Sequence, residues 1–281
     1  MKLSHNSQQF IKLLLTYLLL IIIAVVSIYP ALWIVMSSFK VGDSLFSEHL
    51  IPDQLTTDHY VRLFTDDNLN YPLWYWNTFK ISLISTVLGT SLTIITAYAL
   101  SRFRFRGRQN ILTSMLILGM FPGFMSMIAI YVLLISANLN DSHWGLILVY
   151  AAGAPLGAFV AKGFFDTIPK ALEEAATIDG ASHTRIFIGI VLPLSRPMIT
   201  YIALTSFTGT FFDYIFSSFV LRSTDKKTLA MGLYEMVSQR SSTEFTTFAA
   251  GAVLAAIPIT LLFMFLQRFL VAGLTSGATK G

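Results

Sequence analysis

EEAATIDGASHTRIFIGIVLP, residues 173–193, decides how this chain is read, because it is out of character with its surroundings. The stretches on either side, about 144–165 and 197–221, hold one charged residue each, Lys162 and Asp213. The quoted segment holds three acids, a histidine and an arginine. Across all 281 residues 54% are hydrophobic and 12% charged, and the mean hydropathy is +0.67. A soluble domain carries about a quarter charged residues. The chain is therefore read as an all-α membrane protein, and residues 173–193 as a water-facing island in it. With no cysteine in the chain, disulfide frameworks, thiolate nucleophiles and zinc–thiolate sites are excluded.

A helix crosses the hydrocarbon core with about 20 mostly apolar residues. Six stretches meet that length, at about 13–37, 78–101, 111–136, 144–165, 197–221 and 246–267. The first is too long for a secretory h-region and no A-x-A site follows it, so it is expected to stay in the mature protein. Six spans place both termini on one side. Twelve of the nineteen Lys and Arg residues fall on that side, four of them in the short run RFRFRGR (102–108). Basic residues concentrate on the cytoplasmic face, so the termini and residues 167–196 are expected there, with RFRFRGR as a topology anchor. The same asymmetry accounts for the formal net charge of +4 without a nucleic-acid partner. Residues 1–281 then form a single transmembrane domain with no soluble domain attached.

Within TIPKALEEAATIDG (167–180), Thr167 is positioned to cap a helix with Pro169 in its first turn. Residues 171–176 favour helix, and Gly180 can close it in the left-handed conformation. Ser182 can cap a second short helix, HTRIFIGIVL (183–192), which Pro193 is expected to end. Ser195 and Pro197 then open the fifth span. A small-residue face made by Ala175 and Ala176, with Ile178 beside it and Glu174 adding charge, suits close approach by another surface. Inside the spans, Pro30, Pro122, Pro155 and Pro258 each remove a helical hydrogen bond. Gly119-x-x-x-Gly123 and Gly153-x-x-x-Gly157 permit close helix contact.

The spacing Glu174-Ala175-Ala176, three residues, Gly180, nine residues, Ile190-x-Leu192-Pro193 fixes seven positions over twenty residues. It resembles the cytoplasmic coupling loop of the membrane subunits of binding-protein-dependent ATP-binding-cassette importers. The end of the chain, Gly273-Leu274-Thr275-x-Gly277-Ala278-x-Lys280-Gly281, resembles the smaller permease subunit of maltose and maltodextrin importers. The resemblance implies the type I importer permease fold, six spans with a cytoplasmic coupling helix, in a bacterial cell (inner) membrane. It implies a second, larger permease, a separate ATPase dimer and an extracellular or periplasmic sugar-binding protein as partners beside membrane lipid. Residues 167–196 would form the coupling loop. The tail 271–281, too poor in apolar groups to fold alone, would place Gly273, Leu274, Thr275, Lys280 and Gly281 against the ATPase. Maltodextrin is the expected cargo; the same loop would also suit another oligosaccharide, glycerol phosphate or a peptide.

No G-x-x-x-x-G-K-[ST], H-E-x-x-H or G-x-S-x-G occurs in the sequence. The chain is therefore expected to be non-catalytic and to bind no cofactor, ATP and Mg residing in the partner ATPase. Asp213 is the one acid well inside a span, a functional-site signal in a membrane. With Tyr214 it is a candidate for the pathway, against interfacial wetting as the plainer explanation. The external loop 222–244, containing LAMGLYEMV (229–237), is expected to meet the binding protein.

Overall fold

The computed structural model describes residues 5–43, 49–153, 155–238 and 244–278. Among them the chain is helical, and the one β pairing is an isolated bridge between Lys40 and Leu55. The helices are α1 (His5–Ser37), α2 (Asp58–Thr65), α3 (Tyr71–Arg102), α4 (Arg108–Gly119), α5 (Gly123–Ser136), α6 (His143–Ala152) and α7 (Pro155–Asp166). They continue with α8 (Lys170–Ile178), α9 (His183–Ile186), α10 (Leu192–Leu194), α11 (Arg196–Phe211), α12 (Ile215–Val220), α13 (Leu229–Ser238) and α14 (Phe245–Ala278).

Four stretches are long and apolar enough to cross a membrane: Gln9–Ser37, Tyr71–Arg102, His143–Asp166 and Phe245–Leu270. Of the six expected spans the third and fifth fall outside these four, and they and the fourth are interrupted. The third opens at Met120–Pro122 into α4 and α5, of 12 and 14 residues. Pro122 has no N–H to offer, and its ψ of 123° is extended, so the α4 ladder ends with the Phe121 N–H on Leu118 O. The fourth breaks at Gly153, at φ +65°. The fifth breaks at Phe212–Tyr214 between α11 and α12. At its other end α11 meets the preceding helical stretch, His183–Leu194, at a 77° bend.

The last helix corrects the expectation for the tail. α14 stays helical through Ala278, where an unfolded segment from 271 was anticipated. No proline follows Pro258, and a glycine costs a helix only about 1 kcal/mol. Lys280 and Gly281 lie outside the described residues.

The chain divides into two compact units, Met1–Leu69 with Glu235–Ala256 and Asn70–Tyr234 with Ile257–Gly281. In the first, α1 exposes its apolar side chains over residues 10–32. The buried His59 ring donates from Nε2 to Lys40 O (2.8 Å), because a carbonyl only accepts, and its Nδ1 sits 3.2 Å from Thr247 Oγ1. Arg62 joins Asp66 (3.1 Å) to Glu244 (2.6 Å).

In the second unit α3 is the central helix, packed against α6, α7 and α11. Its buried positions recur at helical spacing and are often small or hydroxylic, among them Ser82, Ser85, Gly89, Thr90, Ala97 and Ser101. Small residues let helix backbones approach where lipid supplies no hydrophobic drive between helices. Gly89 shows this directly, since a Cβ there would stand 3.3 Å from the Cα of Ala151 on α6. Of the two small-residue pairs, Gly119 meets Leu156, while Gly123 and Gly157 face open space.

Asp141, between α5 and α6, fastens the loop that follows α12. Its carboxylate accepts from the Arg222 N–H (2.8 Å), the Ser223 N–H (3.1 Å) and the Ser223 hydroxyl, and Lys226 Nζ lies 3.2 Å away. Burial alone would raise its pKa, but these donors outweigh that and hold the carboxyl well below the ordinary carboxylate range. A depressed folded-state pKa stabilises above the unfolded value of about 3.9 and ceases to do so as pH falls through the folded one. Asp141→Asn should therefore speed hydrogen exchange at the Arg222 and Ser223 amides at pH 7. The gap from wild type should narrow as the pH drops below about 3.9; a gap that is constant with pH would show that charge is not the holding force.

Candidate functional site

The first candidate site lies at the Arg102 end of α3, where the chain passes through α8 and α9. Helix α8 buries none of its own residues, so it is held by particular bonds. Arg102 Nε donates to Glu173 Oε1 at 2.6 Å, Nη2 to Ile168 O at 3.2 Å and Nη1 to Ser101 Oγ at 3.0 Å. The Arg102 and Glu173 side chains are 6% and 13% exposed. Next to them Asp166 accepts from Ser101 Oγ (2.6 Å) and lies 2.6 Å from Lys162 Nζ. Arg102 thus binds α8 to α3, where the sequence suggested only a topology anchor.

Pro169, not Thr167, stands at the N-cap of α8; the Thr167 hydroxyl donates back to Phe164 O at 2.7 Å. The other end follows expectation. Gly180 has φ +81°, its N–H donates to Thr177 O, and the Ala181 N–H donates to Ala176 O. That is the Schellman pattern, which favours glycine at this position. Ala176 and Ala181 both lie against the cluster built on Ile94, Ala97, Tyr98, Phe165 and Ile186. Ser182 Oγ accepts from the Arg185 N–H and caps α9. Pro193 does not end that segment: α9 widens into a π-helical turn over Phe187–Val191, and Pro193 sits inside α10.

The motif residues therefore divide. Ala171, Glu174, Ala175 and Ile178 form an exposed stripe at helical spacing, with Ile178 88% exposed. Ala176 turns inward, and Ile190 and Leu192 pack against the same cluster, all three partly buried. Pro193 is exposed. Gly273, Leu274 and Thr275 fall on the helical backbone of α14.

The second candidate site separates too. Asp213 occupies the break between α11 and α12, where its carboxylate accepts from the Tyr150 hydroxyl (2.6 Å) and the Ser217 N–H (2.8 Å). It lines a cavity of about 460 Å³ between α3, α6, α7 and α11. Tyr214 instead packs against Tyr234, 4.3 Å between ring centroids with the rings tilted by 32°. The roles of Arg102, Tyr150 and Asp141 were missed from sequence, and RFRFRGR was the one available pointer to any of them.

Residues 89–276 match the model of the binding-protein-dependent transport system inner membrane component family. The chain belongs to that family. It is 47% identical over 277 residues to the galactooligosaccharides transport system permease protein of Bacillus subtilis (strain 168), covering 98% of each chain. It is 41% identical to the maltodextrin transport system permease protein of the same strain, covering 98% of this chain and 99% of the other. Its fold matches a chain in the crystal structure of a bacterial ABC transporter that imports the acidic polysaccharide alginate. There the TM-score is 0.80 at 22% identity, over 95% of this chain and 99% of that one. The protein is thus an inner-membrane permease subunit of an ATP-binding-cassette importer, a transport component and not a catalyst.

Removing one member of a buried ion pair costs about 3–5 kcal/mol, because the other is left charged and unpaired. Arg102→Ala should therefore release α8, seen as proteolytic cleavage within 170–182, while Arg102→Ala with Glu173→Leu should restore much of the protection. Equal sensitivity of the single and double variants would show that the pair does not anchor α8.

Proposed function

We propose that this chain is the smaller permease of an importer for a neutral oligosaccharide, coupled through α8 to a separate ATPase dimer. The single observation that carries the coupling role is the exposed stripe of Glu174, Ala175 and Ile178 on a helix fastened by a buried ion pair. A large apolar side chain that is 88% exposed, next to a carboxylate and on a stiff base, is suited to seating in a partner's cleft. The twelve basic residues on the terminal side support, by the positive-inside rule, a cytoplasmic position for this loop and both termini. ATP and Mg then belong to the ATPase, and the cargo comes from an extracellular sugar-binding protein. A second, larger permease and lipid cover the apolar helices, and the α14 end from Gly273 to Thr275 reaches the ATPase.

The functions of the relatives support an oligosaccharide cargo over a peptide or glycerol phosphate. Maltodextrin is expected from the end of the chain, and galactooligosaccharide is favoured by the 47% identical relative. ATP-driven uptake into vesicles that hold the complete importer, given labelled maltotriose or galactotriose in turn, separates the two. In the same vesicles Glu174→Lys, which reverses the charge on the stripe, should lower uptake at least tenfold with the subunit still inserted. Gly180→Pro should do the same, since proline cannot adopt φ +81°. Wild-type rates in both variants would refute the coupling role of α8.

A further inference from the structure

The breaks in the fourth and fifth spans meet. Gly153 interrupts the helix that carries Tyr150, residues 212–214 interrupt the helix that leads to Asp213, and the Tyr150 hydroxyl bonds Asp213 across the gap. Discontinuous membrane helices are where transporters build binding sites, because unwound backbone is tolerated where it lines a cavity. The cavity here, about 460 Å³, lies within the roughly 300–1,000 Å³ of ligand pockets.

Its chemistry is specific. Thr93, Tyr201 and Ser206 line it with hydroxyls that make no hydrogen bond among the described residues. Each can both donate and accept. Asp213 adds an acceptor, since its Oδ1 takes only one long contact, 3.4 Å from the Phe216 N–H. No Lys, Arg or His lines the cavity among the described residues. A ligand carboxylate would therefore sit near the Asp213 charge with no counter-ion, at a cost that is large in low dielectric. One wall is formed by Gly157, where an added Cβ would meet nothing within 4 Å. From these observations we infer that the cavity between α3, α6, α7 and α11 binds a neutral sugar unit of the cargo, with Asp213 and the Thr93, Tyr201 and Ser206 hydroxyls as its hydrogen-bonding groups. The inference rests on the oligosaccharide-import function proposed above and adds that this subunit itself contacts the cargo.

The absence of cysteine from the chain makes the test direct. Ser206→Cys is introduced into the complete importer in vesicles, and alkylation of that thiol is followed by mass spectrometry of this subunit during turnover. Maltotriose or galactotriose, whichever is imported, should slow alkylation at least fivefold, and a trigalacturonate should not. A thiol at the exposed Ser126 (Ser126→Cys) should be indifferent to both. In parallel, Gly157→Phe should raise KM for a pentasaccharide at least tenfold, and more than for a disaccharide. Gly157→Val replaces it if the larger variant does not assemble. An unreactive thiol, equal protection at Ser126→Cys and Ser206→Cys, or no protection together with unchanged KM and length preference would each overturn the site. In those cases wild-type uptake would leave the import function standing. Absence of any neutral-oligosaccharide uptake by the wild-type importer would refute both.

Discussion

A membrane offers no water to an open backbone, so every interruption of a spanning helix has to be satisfied by the protein. The second unit is organised around this constraint. Where α11 stops, Asp213 takes up the Phe216 and Ser217 N–H groups of the next short helix, replacing the carbonyls that a continuous helix would have supplied. Where α6 stops, the Gly153 N–H returns to Tyr150 O. Tyr150 serves both places, since its hydroxyl completes Asp213. One acid in the middle of a span is thus explained first by backbone chemistry. Any role toward cargo uses the acceptor capacity that remains.

Charge is used with similar economy elsewhere. Arg102 with Glu173, Lys162 with Asp166 and Lys226 with Asp141 are each within 3.2 Å; the first and third join separate segments, while the second is an i,i+4 pair at the end of α7. The Arg102 pair is the most buried of these. A surface pair is worth little, whereas a buried one is costly to break by halves. The position of α8, which buries no residue fully, therefore rests on this guanidinium together with the packing of Ala176 against the cluster beneath it.

Much of this was legible in the sequence. Hydropathy marks where the chain is apolar for about 20 residues, and four of the stretches so marked are long enough to span, one of them with a break at Gly153. Gly180 and Ser182 were readable because cap chemistry is local and needs no knowledge of the fold. Pro122 marked the break in the third span and Pro155 lies two residues past the break at Gly153, but the interruption of the fifth was not readable, because a gap of three residues, Phe212–Tyr214, disappears in a window of twenty. Phe, Asp and Tyr are not breakers by composition either. Nor were the partners: Glu173 lies 71 residues beyond Arg102, and Asp213 lies 63 beyond Tyr150. Such pairs arise from how helices pack, and spacing carries no trace of them. Thr167 misled for a subtler reason, since its hydroxyl prefers the carbonyl three residues back and leaves the cap to Pro169.

The helix between the two candidate sites is the one that does not break. α3 runs through 32 residues with its single proline at the N-terminal end. Arg102, which holds α8, and Thr93, on the cavity wall, lie nine residues apart along it, about 13 Å at 1.5 Å per residue. A continuous helix has no free dihedral in which a displacement could be lost, so under the coupling role proposed for α8 a shift passed through the Arg102–Glu173 pair would travel along α3 toward Thr93 and Gly89. The neighbours across the cavity, α6 with α7 and α11 with α12, are the helices that are interrupted, and their breaks are where strain can be taken up. A rigid wall driven at one end against two jointed walls changes the shape of the space between them. That is the mechanical requirement for coupling a surface helix to a site inside the membrane.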